Sequence, residues 1–478
     1  MATPSATAAR RPGPALSVVA PGASPRPRVL VVGPLPPPLG GVQLMVEMLT
    51  RSSLARDHEL RVVDTSKGVL RWAVEKRTWR TVPYFFRDVA ALFAALVSFR
   101  PDVVVVHAAP SVSFLRDWVF MALARAFGRR VVCHYHGTLH TRFPSAETRF
   151  GRAAGRLLMA AAHRVIVLGP TYRDGFRAAW RRDDVVWAPN VTDVALFREA
   201  ETLPAPDWLA PGERGVLFMG RLSRPKGIWD LFDAVPAVLA RHPEARFLLC
   251  GVAENDAQEP VLRAEVARRG YAERVTFLGS LEGLEKARAW LSASVFVSPT
   301  WTEAFPLVVP EAMAAGVPMV ITAVGAIPDH VHDGEDGFLV PPRDPAALAA
   351  GVNRLLDDEP LRRRMAQHVR ERAVREFDIE VGAARVREVI ASALPRHTEV
   401  PRMVMRLALP LLAALGLALA APHPAVAAGV PATLAEGTAP GAPAAAPAVS
   451  RLVRVGFGPG FTPAMVHAGG YDVVHLTD

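Results

Sequence analysis

From Arg28 onward, short runs of valine and leucine alternate with longer stretches whose apolar residues recur at helical spacing. The first block contains Val29–Val32, Val103–Val106, Arg130–Val132 and Val165–Leu168. A polar, proline-containing passage around Glu199–Gly215 interrupts the rhythm. It then restarts with Val216–Met219, Phe247–Leu249, Val275–Leu278, Val295–Ser298 and Pro318–Thr322. Runs that are apolar at every position predict strands buried on both faces, hence parallel sheets sandwiched between helices. Two such blocks predict two doubly wound α/β domains, over 28–200 and 212–378, followed by a helix over 379–395.

An internal echo supports the pairing. Gly33-Pro-Leu35-Pro-Pro-Pro38-Leu-Gly40 and Gly220-Arg-Leu222-Ser-Arg-Pro225-Lys-Gly227 share the spacing G-x-L-x-x-P-x-G. Each follows the first strand of its block and precedes a helix, as expected of two facing Rossmann-like domains. Ligands of such sheets bind at the carboxyl ends of the strands, so the interdomain cleft is the expected site.

The ends of the chain break the pattern. Residues 1–27 are rich in Ala, Pro, Ser, Arg and Gly without an apolar core segment, and read as a disordered leader. Residues 396–478 are foreign in another way. Arg402 and Arg406 precede an apolar run from Leu407 to Ala421, and Ala425-Val-Ala427 follows. That composition is a secretory signal peptide followed by a low-complexity linker, as a fused reading frame would produce. A C-terminal membrane anchor is the competing reading, with Pro410 and the short run against it.

With 478 residues the chain has ample material for two cores, and half its residues are hydrophobic. A net charge of +9 and a pI near 10.2 favour anionic partners. Cys133 and Cys250, each at the end of an apolar run, offer no disulfide framework and fit a reducing compartment as buried thiols.

Four constellations carry chemistry. Glu303 and Glu311 stand eight positions apart, one just past the strand Val295–Ser298 and the other in a small-residue helix ending at Gly316. A strand-loop-helix junction offers backbone N–H groups and a positive helix end to phosphate, while carboxylates beside it suit hydroxyl groups. Arg221 and Lys226, bracketed by Gly220 and Gly227, form a basic turn able to clamp a diphosphate. Gly40 and Gly41, where a loop turns into a helix, permit positive φ and close approach of a phosphate; a tight turn without ligand is the alternative. His134-Tyr-His136-Gly137 follows the strand Arg130–Val132. His136 there can contact a sugar hydroxyl or a phosphate, or move a proton. His-x-His also suggests a metal, but the sequence places no third ligand nearby, so no metal site is expected. Finally, Leu70–Arg100 interleaves Arg71, Trp72, Lys76, Arg77, Trp79, Arg80, Tyr84, Phe85, Phe86 and Arg87. This suits an anionic lipid interface, or equally an ordinary helix with an aromatic core stripe. No nucleic-acid-binding module is present.

Together these residues resemble the retaining GT-B glycosyltransferases of family four (glycosyl transferases group 1) over roughly residues 28–395. The most specific part is Glu303-x7-Glu311 followed by Ala-Met-Ala-Ala-Gly-Val-Pro, with Gly220-Arg221 and Lys226-Gly227 upstream. The resemblance implies that Arg221 and Lys226 hold the donor diphosphate. Glu311 would bind the ribose hydroxyls and Glu303 the transferred sugar, with backbone amides of Phe305, Pro306 and Leu307 cradling phosphate and sugar. Gly40 or Gly41 would let the first loop close over the donor. His136 would lie near the reacting centre, and the strand end at Leu278 would hold the base through main-chain groups. Asn190 sits in an Ala188-Pro-Asn-Val motif lacking the family's glycine and receives no ligand role. The implied reaction moves a sugar from a UDP- or GDP-sugar to a lipid-linked or polysaccharide acceptor with retention, without a divalent metal. It would run at the inner face of the cell membrane. A sugar-nucleotide epimerase or phosphorylase, or an inactive scaffold module, would use the same framework.

Overall fold

The computed structural model describes residues 26–37, 40–66, 82–110, 114–138, 146–253 and 258–394, together with the backbone of three short strands near the C-terminus. The predicted leader and the apolar run of residues 407–421 lie outside the described residues, as does the basic part of the 70–100 stretch.

Two six-stranded sheets form the frame, every strand pairing parallel to its neighbours. The first contains β1 (Arg28–Gly33), β2 (Glu59–Asp64), β3 (Val103–Ala108), β4 (Arg130–Tyr135), β5 (Arg164–Val167) and β6 (Val185–Trp187) in the order β2-β1-β3-β4-β5-β6. The second contains β7 (Arg214–Met219), β8 (Ala245–Cys250), β9 (Val275–Gly279), β10 (Ala293–Ser298), β11 (Met319–Thr322) and β12 (Gly337–Val340) in the order β12-β11-β10-β7-β8-β9. The central strands are buried throughout, β3 at all six positions, because helices cover both faces. All nine expected strands form. β2, β6 and β12 were not anticipated, and each is an edge strand. Half exposed to solvent, β2 is flanked by charged residues and has only Val62-Val63 as an apolar run.

The two orders differ in where the winding reverses. In the first sheet the reversal falls between β1 and β3, in the second between β7 and β10. A crevice opens beyond the carboxyl ends of the strands at such a reversal. The ends of β1 and β3 are Gly33 and His107-Ala108, and those of β7 and β10 lead into Gly220 and Pro299.

The last helix, Ile379–Ala393, does not extend the second half. Ala383, Val386, Val389 and Ile390 enter the core of the first sheet with Val29, Val31 and Val191. A Cβ on Gly382 would meet Val191 Cγ1 at 2.7 Å, so the helix lies close on the chain there. Arg387 pairs with Asp57 at 2.6 Å and reaches Ser53 Oγ at 2.7 Å.

A separate unit, Leu419–Asp478, contains the strands Val453–Arg454, Phe461–Ala468 and Tyr471–Thr477. The last two pair antiparallel. Among the described residues no helix is long and apolar enough to cross a membrane.

Candidate functional site

In the second half, the chain leaves β7 through Gly220 at φ 148°, makes a 3-10 turn over Arg224–Lys226, and enters the helix Ile228–Leu239 through Gly227 at φ 75°. Both φ values favour glycine. Gly227 is further constrained because a Cβ there would lie 2.0 Å from the Pro299 carbonyl oxygen. The loop after β7 thus packs directly on the loop after β10. Trp301 N–H donates to the Pro225 carbonyl at 2.9 Å, and Trp301 Nε1 donates to Asp230 Oδ2 at 2.6 Å. This docking brings Lys226 Nζ into contact with Glu303 Oε1. The cation expected on the diphosphate and the carboxylate expected on the sugar are therefore joined as an ion pair. Burial, and after it the charge of Arg221, pull the Lys226 ammonium down from 10.5 to about 8.

Glu311 lies in the first turn of the helix Val308–Ala315, which ends in Gly316 at φ 72°. Its carboxylate is buried and held from the side. Lys286 Nζ donates to Oε1 at 2.5 Å and Trp290 Nε1 to Oε2 at 3.3 Å. An ionised carboxylate accepts about four hydrogen bonds, so both oxygens keep capacity for hydroxyl donors. Lys286 and Trp290 were not singled out in the sequence. They sit four apart on one helix, Gly283–Leu291, and that i, i+4 face is the signal that could have found them.

In the stretch around Phe305–Leu307 expected to cradle phosphate and sugar, one of the three residues cannot donate. Pro306 has no N–H to give, and its carbonyl accepts from Val309 N at 3.2 Å. The Phe305 ring is buried against His330, 4.3 Å between centroids, and the Phe305 carbonyl takes Asn190 Nδ2 at 2.6 Å. Phe305 is thus built into the wall. Of the three, Leu307 looks across the cleft, where a Cβ on Gly41 would lie 3.9 Å from Leu307 Cδ1. Leu278 is at a bulge: β8–β9 pairing jumps from Leu249↔Phe277 to Cys250↔Gly279, releasing the Leu278 main chain from the ladder.

In the first half, Gly40 is extended at φ −163° and Gly41 begins the helix Gly41–Arg51. The positive φ expected of them is not used. What Gly40 provides is room, since a Cβ there would come within 2.5 Å of Gln43 Oε1. His134 and His136 follow on β4 and just past it, and the structure adds what the sequence did not foresee. His107 on β3 is the Cα partner of His134, so three imidazoles gather at the carboxyl ends of β3 and β4, beside the winding reversal. His107 Nδ1 lies 2.9 Å from His136 Nε2. Burial holds all three rings well below the usual imidazole range, His136 at about 3, so His136 is neutral at physiological pH. A neutral ring offers one N–H and one lone pair, not a fixed positive charge.

The sequence model described as "Glycosyltransferase Family 4" matches residues 39–196, and that described as "Glycosyl transferases group 1" matches residues 213–358. Both halves of the chain thus carry glycosyltransferase family domains, family 4 in the first and group 1 in the second. The phosphatidyl-myo-inositol mannosyltransferase of Mycobacterium tuberculosis is 37% identical over 212 residues, which are 43% of this chain and 53% of that protein. The chain therefore spans about half the length of the mannosyltransferases it matches. The glycogen synthase of the same organism is 28% identical over 311 residues, 62% of this chain and 70% of that one. Among solved structures, sucrose-phosphate synthase from Thermosynechococcus elongatus superposes with a TM-score of 0.62 at 23% identity, covering 76% of this chain and 98% of that one. Anabaena HepE in complex with UDP gives 0.60 at 20% identity, covering 76% and 100%. These likenesses establish the GT-B fold: two Rossmann-like domains facing one another.

The two halves are tied beside the site by specific hydrogen bonds. Tyr172 OH donates to the Glu303 carbonyl at 3.4 Å, and Thr171 Oγ1 donates to Asp329 Oδ1 at 2.6 Å. His330 Nε2 meets the Leu168 carbonyl at 2.7 Å. Asn190 belongs to the same set: its Nδ2 fixes the Phe305 carbonyl in the Glu303–Leu307 loop.

Proposed function

We propose that this glycosyltransferase moves a sugar from a nucleoside-diphosphate sugar to a lipid-linked or polysaccharide acceptor, with retention at the anomeric carbon. The observation that carries the reading is the Lys226–Glu303 pair beside Arg221 at the winding reversal of the second sheet. Such a pair suits a donor whose diphosphate replaces Glu303 as the partner of Lys226, freeing Glu303 for the sugar hydroxyls. Departure of the diphosphate builds negative charge on its oxygen. Preorganised cations stabilise that charge, so the donor phosphates need no divalent ion. In the retaining step the bond from the anomeric carbon to phosphate oxygen breaks and a bond to the acceptor oxygen forms on the same face. The acceptor proton passes to the departing phosphate. Neutral His136 serves as a hydrogen-bonding contact near that centre, and Glu311 with Lys286 positions the ribose.

Exposed apolar side chains on the first half favour an acceptor presented at a lipid surface. Phe93 and Val97 project from the helix Val82–Ser98, Phe150 and Leu157 from the arginine-rich helix Arg149–Met159. Work at the cytoplasmic face of a membrane fits this surface.

The test is a thermal-shift screen of UDP-, GDP- and ADP-sugars on the wild-type chain, repeated on Lys226→Ala and Glu311→Ala. One donor should stabilise the wild type and neither variant. Equal stabilisation of both variants would overturn the site. Donor turnover to an epimer, or phosphate-dependent turnover without acceptor, would replace the transferase with an epimerase or phosphorylase.

A further inference from the structure

We propose that His107, His134 and His136 form a binding site for a zinc-class divalent ion beside the winding reversal of the first sheet. Backbone geometry creates the set. His107 and His134 are register partners on adjacent parallel strands, and His136 follows two residues after His134. With side chains alternating along a strand, all three lie on one face. One ligand nitrogen from each lies within 4.8 Å of the other two.

A second observation points to a missing partner. His134 is fully buried, yet neither of its ring nitrogens has a hydrogen-bond partner among the described residues, and His107 Nε2 is likewise unpartnered. Buried polar nitrogens of native proteins are nearly always satisfied. His134 can turn one of these nitrogens to a cation as its lone pair while the other keeps its N–H, and His107 Nε2 is a second candidate ligand atom.

The donor set selects the ion. Three neutral imidazoles with no thiolate and no carboxylate suit zinc, cobalt(II), nickel or copper, not magnesium or calcium. Three histidines plus one open position is also a known tetrahedral zinc arrangement. At zinc–nitrogen distances of about 2.0–2.1 Å the nitrogens sit about 3.4 Å apart, so the rings close in by little more than an ångström. His136 is the partly exposed member and marks the entry side. Two glycines let the chain pack closely around the cluster. A Cβ on Gly33 would lie 3.2 Å from His107 Cβ, and one on Gly137 would strike Pro110 Cδ at 2.0 Å. The site uses neither Arg221 nor Lys226 but shares His136 with the proposed transferase centre, and its test reads metal binding, not turnover.

The test uses the tag-free full-length chain, stripped with chelator and titrated with cobalt(II) while the visible d–d bands are recorded. One equivalent should bind with the intense bands of tetrahedral cobalt, and zinc should displace it. His107→Asn and His134→Asn should each weaken binding at least tenfold while the far-ultraviolet circular dichroism stays unchanged. Because either variant could misfold, X-ray absorption on the zinc-loaded wild type provides the independent measure. Three imidazoles at about 2.0–2.1 Å are expected. Absence of a stoichiometric tetrahedral site, a sulfur ligand, or unchanged affinity in folded His107→Asn would overturn the proposal.

Discussion

Lys226 makes the sharpest demand on the chemistry, because its charge is both needed by the donor and opposed by its surroundings. Burial and Arg221 lower its ammonium to about 8, against 10.5 for a free lysine. Since the folded value lies below the unfolded one, the charged form is the costly one in the fold. This lysine's contribution to folding stability therefore rises with pH between about 8 and 10.5. Donor affinity must run the opposite way. Below pH 8 the ammonium is present and meets the diphosphate. Above it, binding has to draw a proton from solution, so the dissociation constant climbs by up to about tenfold per pH unit. Calorimetry of the stabilising nucleotide sugar from pH 7 to 9.5, in buffers of different ionisation enthalpy, should register uptake approaching one proton. Proton release, or a flat profile, would contradict the assignment. Lys226→Ala should cost about 1.5–3 kcal/mol of donor binding, the usual worth of a charge-assisted hydrogen bond, or roughly a tenfold to 150-fold weakening. Arg221, Lys226, Glu303 and Glu311 were legible in the sequence because each belongs to a local motif whose spacing survives unfolding. Lys286, Asn190 and His107 were not. Their partners Glu311, Phe305 and His136 lie 25, 115 and 29 residues away, distances closed only by sheet order and helix packing.

At the scale of elements, what matters is how the loops after β7 and β10 are pressed together. Gly227 is the contact point, at φ 75° and with the Pro299 carbonyl oxygen 2.0 Å from where a Cβ would stand. That oxygen is backbone, not a flexible side-chain end, so relief requires moving one loop away from the other. Gly227→Ala should therefore cost at least the 1–3 kcal/mol of a strained backbone and separate Lys226 from Glu303. A melting temperature lower by several degrees, together with loss of donor-induced stabilisation, is the expected pair of readings. Gly212 supplies the comparison, having φ 89° but nothing within 4 Å of its would-be Cβ. Gly212→Ala should lower the melting temperature less and leave donor binding intact. Equal effects at the two glycines would show that the loop contact does not matter. The elements themselves were readable where both faces of a strand are buried, as in Val103-Val-Val-Val106. They were not readable at sheet edges. The sequence of β2, Glu-Leu-Arg-Val-Val-Asp, mixes charged and apolar residues and buries only Val63 fully, and β12 is too short to show any period.

Across the whole molecule, the chain crosses twice between its halves, and the second crossing closes the architecture. After the second sheet is complete, Asp378 pairs with Thr192 in an isolated bridge and caps the helix Ile379–Ala393 by accepting from Glu380 N at 2.9 Å. The helix then runs back over the first sheet. Sequence pattern placed this helix correctly but could not say which half owned it, because its apolar face has the same period whichever core receives it. The structure assigns it to the first half through Ala383, Val386, Val389, Ile390 and Ala393, all buried. Burying a valine or isoleucine side chain is worth about 1.5–3 kcal/mol, so its three larger residues alone supply about 5–9 kcal/mol. That is comparable to the whole stability of an ordinary domain, about 5–15 kcal/mol. A chain ending after residue 378 should therefore lose the cooperative melting of its first half, whereas one ending after residue 394 should keep it. Both retain Arg221, Lys226, Glu303 and Glu311, so donor-induced stabilisation reports separately on the second half. In the shorter chain, thermal unfolding followed by tryptophan fluorescence and circular dichroism should reveal an exposed first-half core already at room temperature. Equal melting of the two chains would place the helix outside the first core and return it to the second half.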